Sequence, residues 1–181
     1  NDRLAPKLRL PIKLLRIKES MYYMRNYCRE NDIQYFVVGG DIFHGKSIIY
    51  ALAQSILLDF FRYFNDLQFF IIDGNHDLSS RGKDCVSALK GIDSEPNVKR
   101  FISPEKVEDV LFVPYSMEMV NFIKQNKSKY LISHFGLSEA LLNSGISIIS
   151  DVSLKDLIGK YEIVLLGHYH KEQEIITDRI K

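Results

Sequence analysis

Short apolar runs recur along this chain, each followed by glycine or polar residues, with longer stretches of helical period between them. Leu14, Ile17, Met21, Met24 and Cys28 step by three and four, which predicts an amphipathic helix with Pro11 in its first turn. A strand follows at Phe36 to Gly39, and then a helix capped by Ser47 and running to about Phe64. Asn65-Asp66 ends that helix, and Phe69 to Ile72 reads as the next strand. Leu78 to Gly91 reads as a loop with a short helix around Cys85 to Leu89. Val98 to Ile102 and Val107 to Tyr115 read as strands, and Ser116 as the cap of a helix through Lys124. Tyr130 to Ile132 is a strand, Ser138 to Leu142 and Ser153 to Ile158 are helical turns, and Glu162 to Leu166 is a strand. Glu174 to Thr177 reads as one further strand. The rhythm of helix and strand with short connections is that of a layered α/β domain, and on its own it suggests one parallel sheet. No repeat, low-complexity tract or linker divides the chain, so 1–181 is read as one domain.

All five histidines fall directly after these strands. The segments are Gly40-Asp41-Ile42-Phe43-His44, Gly74-Asn75-His76-Asp77, Ser133-His134-Phe135-Gly136 and Gly167-His168-Tyr169-His170. Taken singly, each is ordinary: a turn aspartate, a tight turn, a histidine satisfied by a local bond. Together they carry carboxylate, amide and imidazole donors to the ends of four strands, where open α/β sheets bind ligands. That donor set suits a pair of divalent metals.

Composition sets the class without choosing the substrate. With 46% hydrophobic and 26% charged residues the chain is globular. Its formal charge of +1 gives no global field to draw in a polyanion. The charge is uneven, because Arg3, Lys7, Arg9, Lys13, Arg16, Lys18, Arg25 and Arg29 face only Asp2, Glu19 and Glu30 in the opening segment. This is either a solvated helix face or a contact for a phosphate backbone. Cys28 and Cys85 form no CxxC pattern, and free thiols in a reducing compartment are the simplest reading. No apolar stretch reaches membrane-spanning length and no signal peptide is evident, so a cytoplasmic protein without a membrane role is expected.

The order Gly-Asp, Gly-Asn-His-Asp, Ser-His, Gly-His-x-His resembles the calcineurin-like metallophosphoesterase superfamily over nearly the whole chain. The resemblance implies a four-layer β-sandwich flanked by helices rather than a single sheet. It also implies two divalent metals at the strand ends, Mn²⁺ first and Mg²⁺ as an alternative. By the same resemblance Asp41 bridges the metals, Asn75, His134 and His168 bind one, and His170 binds the other. His76 is then the general acid, and Asp77 orients it. The superfamily's opening Asp-x-His is absent, and its usual spacing falls at or before Asn1, so a segment lacking its first strand and ending early is expected.

The text Asp41-Ile42-Phe43-His44 differs from the Asp-Arg-Gly of protein phosphatases. It resembles the SbcD-type nuclease subunit of double-strand-break repair complexes and its phage recombination counterparts. That likeness implies a nuclease acting at DNA ends, His44 beside the scissile phosphate, and Arg81 as a phosphate contact. It further implies an SMC-like ATPase partner and leaves room for a homodimer. Two other readings stand beside it. One is an enzyme of the same superfamily acting on a small nucleotide or phosphodiester, and the other is a catalytically silent scaffold of the same fold.

Overall fold

The computed structural model describes residues 11–44, 49–80, 84–142, 144–147 and 149–177. The elements in order are α1 (Ile12–Glu30), β1 (Tyr35–Val38), α2 (Ala51–Tyr63), β2 (Gln68–Ile72), a 3-10 turn (Ala88–Ile92), β3 (Val98–Phe101), β4 (Glu105–Val107), β5 (Val110–Val113), α3 (Met119–Gln125), β6 (Tyr130–His134), α4 (Leu154–Leu157) and β7 (Ile163–Gly167). They form two sheets. The first is β1-β2-β3, all parallel, and the second is β4-β5-β6-β7, parallel except for the β4–β5 hairpin.

The inner strands β2, β5 and β6 are covered on both sides, whereas the edge strands β1 and β7 leave Tyr35, Val37, Ile163 and Leu165 exposed. Phe70, Ile72 and Phe101 from the first sheet meet Phe112 and Ile132 from the second. The Phe101 and Phe112 rings stack with centroids 4.1 Å apart, and Phe70 lies 5.5 Å from Phe112. On the outer face of the first sheet, Phe69 and Ile71 pack with Leu57, Phe60 and Phe61 of α2 and Cys28 of α1. On the outer face of the second, Leu111, Val113 and Leu131 pack with Met119, Ile123 and Leu157. Helices, sheet, sheet, helices make four layers. Each large side chain buried there contributes roughly 1.5–3 kcal/mol.

The single parallel sheet suggested by the strand–helix rhythm is therefore corrected to two. The sheets divide between β3 and β4, and a hairpin opens the second one. Val107 to Tyr115, read as one strand, holds only the end of β4, a turn with Glu108 in the left-handed region at φ 51, and β5. The chain reverses there, and β4 and β5 pair antiparallel inside the second sheet.

Other local expectations also change. Ser47 lies outside the described residues, and α2 starts at Ala51 with Tyr50 at its N-cap. The turn around Cys85 becomes the 3-10 turn at Ala88, capped by Ser87, whose hydroxyl accepts from the Leu89 N–H at 3.1 Å. Ser138 to Leu142 is not helical, because the Ser138 hydroxyl and N–H are committed to the carbonyls of Ser150 and Val152. The α4 turn forms as expected, with Asp156 accepting from both the N–H and the hydroxyl of Ser153 at 3.0 Å. Glu174 to Thr177 forms no strand.

Of the basic opening segment, Arg3, Lys7 and Arg9 lie outside the described residues. Lys13, Arg16 and Lys18 are exposed on α1. Arg25 is buried instead, its guanidinium 5.0 Å from the Phe64 ring centre and 3.5 Å from Asp66. No helix among the described residues is long and apolar enough to cross a membrane.

Candidate metal centre

The ends of β1, β2, β6 and β7 come together, two from each sheet, so the donors converge between two sheets rather than along one edge. The approach is close enough that only glycine fits at several positions. A Cβ on Gly167 would lie 2.1 Å from the Gly39 carbonyl oxygen and 2.7 Å from Nδ1 of His134. Gly40 takes φ +88, and a Cβ there would meet the Gly74 nitrogen at 2.6 Å. Two candidate ligands also hold left-handed backbones, Asp41 at φ 56 and His168 at φ 93. Conformations of this kind are retained where the surrounding structure enforces them, often at functional sites.

Donor atoms of Asp41, His134 and His168 lie within 4.8 Å of one another. Asn75 joins them, its Oδ1 being 3.1 Å from Nε2 of His134 and 3.1 Å from Nδ1 of His168. His134 is fully buried, and its Nδ1–H donates to the Gly39 carbonyl at 2.7 Å. That bond fixes the tautomer, so a neutral His134 turns its Nε2 lone pair on Oδ2 of Asp41, 3.2 Å away. Either a proton or a metal cation between these two acceptor atoms removes their repulsion. A histidine whose second ring nitrogen is held by a backbone carbonyl is also the usual setting for metal ligation. Partial desolvation, then the neighbouring His134, pushes the His168 pKa down and favours its neutral, metal-binding form. The donor set of two imidazoles, one carboxylate and one amide oxygen thus fits a divalent cation.

His170 is not among the converging donors. It is exposed, and it acts on His168 only through its charge. Of the residues expected to hold a second ion, Asp41 lies in the cluster and His170 lies outside it.

His44 and His76 stand beside this cluster. Their rings stack with centroids 4.9 Å apart at 17°, and His76 Nδ1 is 3.3 Å from the His44 carbonyl oxygen. A proton on Nδ1 is held by that carbonyl, which leaves Nε2 to face outward. The His76 backbone N–H donates to Oδ1 of Asp41 at 2.8 Å, so the same carboxylate that faces His134 also anchors the His76 loop.

Asp77 does not orient His76, contrary to the expectation from their adjacency. Its carboxylate is fully buried and accepts backbone N–H groups from Asp41 at 2.7 Å, Phe43 at 2.9 Å and Gly74 at 2.9 Å. It is a clamp between the loops after β1 and β2. Burial pushes its pKa up, and the three N–H donors pull against that shift. The orienting partner of His76 is the His44 carbonyl. Sequence reasoning missed the Gly39 and His44 carbonyls because backbone acceptors leave no residue-type signal. Arg81 lies outside the described residues.

The sequence model of the calcineurin-like phosphoesterases matches residues 15–172. The matched span begins within α1 and ends beyond the last candidate ligand, so it includes every element that carries the centre.

Proposed function

The chain belongs to the calcineurin-like phosphoesterases, a family of dinuclear metal-dependent hydrolases, and from that premise we propose that it is the core of a DNA nuclease. The observation that carries the finer reading is the His44–His76 stack beside the donor cluster. Two imidazoles side by side at the mouth of a metal centre suit a phosphodiester, which needs one group for the leaving oxygen and another for the flanking nucleotide.

Bound at Asp41, Asn75, His134, His168 and His170, two divalent ions, Mn²⁺ by preference, would neutralise phosphate charge and supply hydroxide at neutral pH. The chain's own residues do the rest. Asp41 holds the ligand loops together through His76 N–H and the Asp77 clamp. His76, with Nδ1–H held by the His44 carbonyl, presents Nε2–H to the departing oxygen and gives up that proton as the P–O bond breaks. His44 supports the ring by stacking and lines the path of the strand. The exposed Lys13, Arg16 and Lys18 on α1 are cations available to a phosphate backbone. A repair or recombination role in the cytoplasm, with an SMC-like ATPase as partner, completes this reading.

The test is hydrolysis of linear duplex DNA, single-stranded DNA, cyclic nucleotides and a bis-aryl phosphodiester, with Mn²⁺ present. The nuclease reading expects DNA cleavage and its loss in His76→Ala with metal still bound. Intact DNA beside a rapidly cut small ester would replace it with the small-substrate reading. Metal-free, inactive protein would favour the scaffold.

A further inference from the structure

A second concavity opens at the C-terminal ends of β3 and β5, separate from the metal centre but sharing a wall with it. Its volume is about 820 Å³, within the range of ligand pockets. The shared wall is the segment from Asp73 to Leu78. Asp73 lies two residues before Asn75, and Leu78 two residues after His76, so each is at most about 7–8 Å along the chain from a centre residue.

The floor is polar and built. Arg100, with only 6% of its side chain exposed, donates to Asp73 at 2.8 Å and to both oxygens of Asp93 at 2.7 Å. Ser87 donates its hydroxyl proton to Asp73 at 3.0 Å. Arg100 therefore compensates one of the two carboxylate charges, and the exposed side of Asp93 faces solvent. The rim is apolar and open, with Ile102 at 73% and Met117 at 72% exposed, and Tyr115 forms part of the wall. Lys90 is an exposed rim cation with no ion-pair partner within 4 Å among the described residues, whereas Glu118 gives the other side a negative charge.

We propose that this cavity receives a nucleoside unit of the substrate strand next to the bond that is cut, with its phosphate on Lys90. A nucleoside matches the site's three parts. Its flat apolar faces lie against Ile102, Met117 and Tyr115, its hydrogen-bonding edge meets the polar floor, and its one negative charge goes to the Lys90 side, away from Glu118. Stacking of this kind tolerates any base, so the site gives grip on the strand without sequence preference. The proposal rests on the DNA-nuclease reading.

Cys85 lines the cavity and is half-buried, whereas Cys28 is only 4% exposed and serves as an internal control. The full chain, with Mn²⁺ present, is treated with N-ethylmaleimide, and modification of each cysteine is followed by mass spectrometry, with and without a short single-stranded DNA. Binding is followed separately by fluorescence polarisation. Saturating DNA is expected to slow Cys85 modification at least about fivefold, and Ile102→Glu with Met117→Glu to raise the KM for DNA about tenfold. Both rim residues are exposed, so the double variant keeps the fold, which its circular-dichroism spectrum and Tm check. DNA that binds and is cut without protecting Cys85, and with KM unchanged in the variant, overturns the subsite and leaves the nuclease reading intact. A double variant whose lower Tm or altered spectrum accompanies the KM change also overturns it. DNA that neither binds nor is cut, beside a hydrolysed aryl ester, removes the nuclease reading and the subsite together.

Discussion

Replacing Asp77 by alanine should unfold the site from beneath rather than silence its chemistry. The carboxylate satisfies the N–H groups of Asp41, Phe43 and Gly74. Each orphaned buried N–H costs about 1–3 kcal/mol. Three of them would cost roughly 3–9 kcal/mol, less what is recovered because a fully buried carboxylate no longer has to be desolvated, so a net loss of about 3–5 kcal/mol is expected. For a chain of this size that lowers Tm by roughly 6–20 °C. Asp77→Asn should fall between, because an amide oxygen can keep the two bonds made by Oδ2 while its NH₂ confronts the Phe43 N–H. The measurement is urea unfolding followed by circular dichroism, with Mn²⁺ affinity by titration calorimetry on the same samples. Affinity should drop in step with stability, since Asp41 loses the bond that fixes its backbone. An Asp77→Ala protein melting within about 2 °C of the parent, with metal bound and activity gone, would refute the clamp and return Asp77 to a direct role on His76.

Four further outcomes follow from the same geometry. His134→Ala should reduce Mn²⁺ affinity by more than about 100-fold by calorimetry, since it removes a proposed ligand and frees the Gly39 carbonyl as well. Gly167→Ala should destabilise by about 3 kcal/mol or more in urea titration, because its Cβ meets backbone that cannot yield. Arg100→Met should cost about 3–5 kcal/mol by the same assay, as it leaves the buried Asp73 carboxylate without its cation and with only the Ser87 hydroxyl, and the loss should shrink in Arg100→Met with Asp73→Asn. Because burial raises the Asp77 pKa, the native state holds that proton above the unfolded value near ~3.9 and loses the associated stability as pH rises through the raised value. Unfolding free energy measured from pH 4 upward should therefore fall more steeply for the parent than for Asp77→Asn.

The elements of the first sheet were legible because their apolar runs are short, β-branched or aromatic, and bounded by turns. What could not be read was the division into sheets. Phe69 and Phe70 are both apolar, yet one faces helices and the other faces the opposite sheet. Period alone cannot tell which cover lies on which side. Asp41, Asn75, His134 and His168 were found because metal-type donors directly after strands are a residue-type signal, and the structure brings these four together. Asp77 was misjudged because adjacency in sequence was taken for contact, whereas in the turn after Gly74 its carboxylate points back to the β1 loop. Asp73 and Arg100 belong to no motif, so the second cavity had no signature at all.

The centre is held by backbone-to-carboxylate bonds more than by pairs of side chains. Asp41 receives the His76 N–H, gives its own N–H to Asp77, and turns its second oxygen to His134. Asp77 in turn binds the Gly74 N–H, one residue before Asn75. The ligand loop and the loop bearing His76 therefore cannot move independently, and the separation between the donor cluster and His76 is set by the main chain. Two carboxylates so close repel, and the Asp77 shift records part of that repulsion after the larger effect of burial. A divalent cation bound to Asp41 would relieve it. Metal binding and the order of both loops should therefore be coupled: stripping the metal should loosen His76 as well as its neighbours, and the loops should regain protection from hydrogen exchange together when the ion returns.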